Sequence, residues 1–133
     1  MDIESVRSYC LSLPHVTEKI QWGNDLLFCL GGKMFAVIVL DEASPNRLTF
    51  KCTPEKFAEL VELENIIPAP YAARYHWVAL QSWDALSRTE IADLISNSSK
   101  MVLAKLPKKI QAALEQTELQ TKNSVPGKTK RRK

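Results

Sequence analysis

The chain has 133 residues, 45% of them hydrophobic and 25% charged, with a formal net charge of +3. That length supports one buried core and no second one. The longest apolar stretch, residues 26–40, is broken by Gly31, Gly32 and Lys33, so no membrane-spanning helix is expected. The opening Met1-Asp2-Ile3-Glu4 is acidic, without the basic-then-apolar layout of an export signal, and a cytoplasmic location is the expectation.

The charge is unevenly placed. Residues 117–133 hold six basic side chains (Lys122, Lys128, Lys130, Arg131, Arg132 and Lys133) and one acid, Glu118, giving +5. Residues 1–116 hold the other 12 basic and 14 acidic side chains, a net of −2. The expected organisation is therefore a slightly acidic domain over 1–116 and a disordered basic tail over 117–133. Three cysteines, Cys10, Cys29 and Cys52, are far apart in the chain and show no metal-ligand spacing. They read as buried, reduced thiols.

Along the chain, Asp2 is placed to cap a helix whose apolar residues Ile3, Val6, Cys10 and Leu13 share one face before Pro14. Residues 17–22 alternate, with Ile20 and Trp22 on one side and Lys19 and Gln21 on the other. Residues 26–30 and 33–40 read as two strands joined by the hairpin dipeptide Gly31-Gly32, where both positions tolerate positive φ. Both faces are apolar: Leu26, Phe28 and Leu30 against Leu27 and Cys29, then Met34, Ala36 and Ile38 against Phe35, Val37 and Val39. These are expected to be central strands, covered on both sides by the chain or by a partner subunit. Residues 47–52 alternate again, with Leu48, Phe50 and Cys52 inward.

Thr53-Pro54 opens a second helix with Phe57, Leu60 and Val61 as its buried stripe. Residues 65–76 lack a clear period, and residues 77–80 read as a short edge strand. Ser87-Arg88-Thr89-Glu90 is a capping box for a helix carrying Ile91, Leu94, Ile95, Met101 and Val102. A short amphipathic turn around Ile110 and Leu114 follows. The order α-β-β-β-β-α-β-α with tight hairpins predicts an α+β fold: an antiparallel sheet of about five strands with flanking helices.

No catalytic constellation is legible. Gly31-Gly32 lies between strands rather than opening a helix, so it is no phosphate loop. Of the two histidines, His15 and His76, neither stands in a nucleophile motif. Glu18, Asp25, Asp41 and Glu42 read as a solvated carboxylate rim rather than a metal site. No catalytic residue, metal or cofactor is expected. Two segments, residues 13–23 and 68–78, place large aromatics beside polar groups near loops. They carry two readings: a ligand cleft lined by Trp22, Tyr71, Arg74, His76 and Trp77, with Arg74 gripping an anion, or aromatics that merely seal the sheet edge.

The same segments carry a resemblance. The helix ending Cys10-Leu11-Ser12-Leu13-Pro14, the Glu18…Trp22-Gly23 turn, Gly32-Lys33-Met34-Phe35-Ala36, Leu48-Thr49-Phe50-Lys51-Cys52, Pro70-Tyr71…Arg74…Trp77 and Lys105-Leu106-Pro107-Lys108-Lys109 together resemble the MmcQ/YjbR family over about residues 1–110. That resemblance implies an antiparallel sheet with flanking helices, similar to frataxin (CyaY) and secretion-chaperone folds. It also implies DNA binding by two β-hairpin wings. One wing would open with Asp41 and Glu42, which phosphates repel, and the other carries only Lys33.

Two functions are therefore in competition. One is a non-enzymatic DNA-binding protein with largely non-specific phosphate contacts. These would come from Lys33 on its hairpin, from Lys51, Arg74, Lys105, Lys108 and Lys109, if the fold gathers them, and from Lys128, Lys130, Arg131 and Arg132 of the tail. The other is a module that binds a small molecule or protein in the aromatic cleft.

Overall fold

The computed structural model describes residues 1–21 and 23–124, the last eight of these by backbone alone. Trp22, Lys128, Lys130, Arg131 and Arg132, all singled out from the sequence, lie outside the described residues.

The first helix, α1, is Ile3–Ser12. Its start is a reciprocal cap: the Ser5 amide donates to Asp2 Oδ1 at 2.8 Å and the Asp2 amide donates to Ser5 Oγ at 3.0 Å. Val6 and Cys10, one turn apart, are fully buried. Six strands follow in one antiparallel sheet: β1 (Thr17–Gln21), β2 (Asp25–Leu30), β3 (Lys33–Val39), β4 (Leu48–Lys51), β5 (Ile66–Pro68) and β6 (Trp77–Leu80). Their spatial order is β1-β2-β3-β4-β6-β5. Between β4 and β5 lies α2 (Pro54–Leu60), capped by Thr53, whose hydroxyl accepts from the Lys56 amide. After β6 come α3 (Arg88–Lys105) and α4 (Lys108–Ser124). The Ser87/Glu90 capping box forms as expected.

The α+β class and the element order stand, with three corrections. The sheet has six strands, the extra one being β5, which three residues too short to show a period had concealed. The segment Trp77–Leu80 is no edge: β6 pairs with β4 on one side and β5 on the other, and all four residues are buried. Finally, α4 is a helix of 17 residues rather than a short turn.

One face of the sheet packs on the helices. Its core joins Leu26, Phe28, Ile38, Leu48, Phe50, Val78 and Leu80 to Val6 and Cys10 of α1 and Ile91, Ile95 and Val102 of α3. The opposite face has a smaller cluster, Leu27, Cys29, Val37, Ala69, Trp77 and Ala79, with Met34, Ile67 and Ala72 against it. The chain thus covers part of that second face itself, with the segment that follows β5.

A β-bulge reassigns two residues. Phe28 pairs with Ala36 but Cys29 pairs with Met34, leaving Phe35 out of register. Met34 therefore joins Cys29 and Val37, while Phe35 turns into the helix-covered core. Strict alternation predicts the reverse. The Phe35 carbonyl accepts from the hydroxyl of Ser98 at 2.8 Å, and Ser98 is fully buried in α3. The bulge thus has a dedicated partner, and Ser98 gains the hydrogen bond its burial demands.

Candidate functional site

Two surfaces collect the residues with chemical potential. The first lies at the hairpin end of the sheet. Gly31, at φ +55°, sits so close to the start of α4 that a Cβ there would lie 2.9 Å from both Ile110 Cγ2 and Leu106 Cδ1. This approach brings the hairpin to the junction between α3 and α4. Lys33 from β3, Lys51 from the end of β4 and Lys105 from the last turn of α3 meet there around a shallow depression of about 190 Å³, floored by Val102, Leu106 and Pro107. No carboxylate is among its lining residues. Lys108 and Lys109 follow Pro107 directly and are exposed.

Lys51 is the inner member. Its ammonium donates to the Tyr75 carbonyl at 2.9 Å. Partial burial lowers its affinity for a proton, and the charge of Lys105 lowers it further. Lys51 and Lys105 are thus close enough to repel one another at the edge of the depression, an arrangement that a negative charge between them would relieve. Beside Lys51, the Arg74 guanidinium stacks over the Tyr75 ring with its carbon 4.8 Å from the ring centroid. Both Arg74 and Tyr75 are exposed.

The second surface is a cleft of about 610 Å³ on the helix-free face of the sheet. Its apolar wall is Met34, Val37, Val39 and Trp77, the segment Ala69–Ala72 closes one side, and Asp25 and Asp41 stand in its lining with Asn24, Ser44, Asn46 and Thr49. The β2–β3 ladder sets Asp25 opposite Val39, two residues from Asp41. Burial first, and the Asp41 charge second, push the Asp25 carboxyl above its usual range.

Of the five aromatic-cleft residues named from sequence, Tyr71 and Trp77 line this cleft and Trp22 is not described. Arg74 and His76 are not among the residues that line it. The short 3₁₀ turn Ala73–Tyr75 and the left-handed backbone of His76 (φ 65°) turn the chain around between Tyr71 and Trp77. The His76 ring then meets Phe57 edge-on, with centroids 5.6 Å apart, and its carbonyl accepts from the Cys52 amide at 2.9 Å. His76 is part of the packing between α2 and the sheet. The aliphatic wall was missed because each strand looked uniformly apolar. Only the bulge that moves Met34 and the pairing order that puts β6 inside the sheet show which residues face the cleft.

Among the described residues, no group of three or more His, Cys, Asp or Glu side chains is placed to hold a metal ion. No helix among them is long and apolar enough to cross a membrane. All three cysteines are buried and unpaired; burial pushes the Cys10 thiol up to about 12 and the Cys52 thiol up to about 11.

The YjbR family model matches residues 11–101. The chain belongs to the YjbR family. Among solved structures, it is similar to the Deinococcus radiodurans protein DR2400, which carries a DUF419 domain. The two are 25% identical, with a TM-score of 0.76, over 86% of this chain and 88% of that one. A Pseudomonas syringae protein shares the fold at 19% identity and a TM-score of 0.65, over 77% of this chain and 99% of its own. No curated protein matches the chain. The matched YjbR region takes in the hairpin, both cleft walls and most of α3, whereas Lys105, Lys108 and Lys109 follow it.

Proposed function

We propose that this YjbR protein is a non-enzymatic DNA-binding protein that holds the phosphate backbone at the hairpin end of its sheet. The observation that carries this reading is the convergence of Lys33, Lys51 and Lys105 on one depression with no lining carboxylate. Lys108 and Lys109 extend the positive surface along α4, and Arg74 on Tyr75 extends it along the sheet end. Ammonium groups on separate elements suit a repeating anionic chain better than a single small anion. An exposed arginine-on-tyrosine stack adds a flat surface for a sugar or base. The basic residues beyond position 127 would add further phosphate contacts without contributing sequence preference.

The wing formed by residues 41–47 is excluded from the contact surface. Asp41 and Glu42 would oppose phosphate, and Asp41 belongs to the cleft instead. The reading includes a cytoplasmic location, supported by three buried thiols with no disulfide.

The test is duplex binding by the full chain, followed by fluorescence anisotropy at low salt. A Lys33→Glu/Lys105→Glu variant should lose about tenfold or more in affinity, since each reversed charge removes one contact and adds a repulsion. A second variant, with Lys128, Lys130, Arg131 and Arg132 changed to Gln, isolates the tail. If only the tail variant loses binding, the folded surface is not the DNA site and the proposal fails.

A further inference from the structure

We propose that the cleft on the helix-free face is a second, separate binding site, for a small organic cation: a protonated amine on a compact aromatic or branched apolar body. Its volume of about 610 Å³ is that of a small-molecule pocket, and its floor is built to hold apolar surface. Met34, Val37 and Val39 offer aliphatic contact, and Trp77, itself almost fully buried, offers a flat wall. Tyr71 stands fully exposed at the margin with a left-handed backbone (φ 65°), so its ring is available at the mouth instead of being spent in the core.

Charge decides the class of ligand. Asp25 and Asp41 are the charged residues among those described in the lining; no Lys, Arg or His is there. Asp41 is engaged on one oxygen, Oδ1 accepting from the Ala43 amide at 2.9 Å. Asp25 makes no side-chain hydrogen bond or ion pair among the described residues, although it is half-buried beside another acid. Burial and the Asp41 charge both disfavour its ionised form. A cation brought against this pair would relieve the repulsion and replace the lost hydration, whereas an anion would meet two like charges. Arg74, the residue that would have favoured an anion, does not line this cleft. Ser44, Asn46 and Thr49 supply polar groups along the same wall to orient a ligand. An acidic surface patch alone would attract any polycation; the apolar floor is what selects a ligand with a body.

The site is independent of the lysine depression, so the two proposals stand or fall separately. The experiment is titration of the full chain with 2-phenylethylamine, with 3-phenylpropionate as the anionic isostere and spermidine as a cation without an apolar body. Binding is read by calorimetry and by the amide and indole resonances of a ¹⁵N-labelled sample. The expected result is saturable binding of 2-phenylethylamine that shifts Trp77, Val37 and Thr49. The other two probes should bind at least about tenfold more weakly, a difference of one lost charge pair or one lost apolar contact. Asp25→Asn should reduce amine affinity by a similar factor. Asp41→Asn, which keeps an oxygen for the Ala43 amide, should do the same with the fold intact. Equal or tighter binding of 3-phenylpropionate would overturn the proposal. So would spermidine binding as well as the amine, no saturable shift at Trp77, or an affinity indifferent to both Asp variants.

Discussion

Lys51 and Trp77 face each other directly across the β4–β6 ladder. Lys51 belongs to the basic depression and Trp77 to the wall of the acidic cleft, so one cross-strand pair marks the boundary between the two surfaces. The Lys51 ammonium is drawn towards the sheet end by the Tyr75 carbonyl, and the indole is covered by the segment after β5. Directly paired residues project from the same face of a sheet, so the two surfaces part at this pair, the ammonium reaching to the Tyr75 carbonyl and the indole packing with Ala69 and Ala72.

Removing the Ser98 hydroxyl tests the bulge. Ser98→Ala leaves the buried Phe35 carbonyl without its partner and should cost about 1–3 kcal/mol, the ordinary penalty for an unsatisfied buried acceptor. Urea unfolding monitored by far-UV circular dichroism measures it. A midpoint unchanged from the parent would show that water or a shifted backbone satisfies the carbonyl equally well.

Adding a methyl at Gly31 tests the contact that builds the basic depression. Gly31→Ala places a Cβ 2.9 Å from Leu106 and Ile110 side chains at a positive φ that only glycine adopts freely. A loss of about 1–2 kcal/mol is expected, from αL strain plus the displaced side chains. The matching change in spectra should fall on residues 105–111. Shifts confined to the hairpin would mean α4 does not press on it.

These tests concern features of unequal visibility in the sequence. Asp2, Thr53-Pro54 and Ser87…Glu90 were legible as helix starts because a cap is a local event within the first turn, whereas the reciprocal bond from Asp2 to Ser5 came only with the structure. Gly31-Gly32 was legible for the same reason. The bulge was not: it depends on which strand β2 pairs with and where, so Met34 and Phe35 were assigned to each other's faces. Trp77–Leu80 was placed at an edge because its central position depends on β5, three residues supplied by a segment without periodicity. The sequence offers Lys51, Arg74, Lys105, Lys108 and Lys109 as a stripe only if the fold gathers them and leaves Lys33 on the hairpin; that Lys33, Lys51 and Lys105 line one depression is decided by the fold alone. The carboxylates Asp25 and Asp41 read as part of a solvated rim, and Asp41 is indeed exposed; alternation alone cannot reveal that the two line one cleft with Ala69–Ala72.

Stability should respond to Asp25 in a pH-dependent way. Its carboxyl is held above the usual range, so the folded state binds the proton more readily than the unfolded one, and ionisation of Asp25 destabilises the fold. The increment is present when Asp25 is protonated and is lost as pH rises through its folded value. Asp25→Asn should therefore be more stable than the parent near pH 7, and the advantage should shrink on acidification. Glu18 works in the opposite sense: hydrogen bonds from Arg7, at 2.9 Å from Nε to Oε2, hold its carboxyl below the usual range. Its contribution is present above the unfolded value and is lost as pH falls. Denaturation midpoints of Asp25→Asn, Glu18→Gln and the parent at several pH values separate the two slopes. Parallel curves for parent and Asp25→Asn would contradict the assigned shift.

The cysteines should be inert in the native state. With Cys10 at about 12 and Cys52 at about 11, neither carries appreciable thiolate near pH 8, and all three side chains are buried. Labelling by a thiol-reactive chromophore should follow the rate of opening of the fold and should become fast in denaturant. Reaction of one thiol within seconds under native conditions would show an exposed or activated cysteine.

The most direct measurement of the central claim is the salt dependence of duplex affinity for the full chain and for Lys33→Glu/Lys105→Glu. Each phosphate contact contributes about 0.9 to the slope of log affinity against log salt concentration. The account predicts a slope for the double variant that is shallower by about 2, with the tail intact in both proteins. An identical slope and affinity would contradict it, because the lysines gathered at the hairpin end would then touch no phosphate.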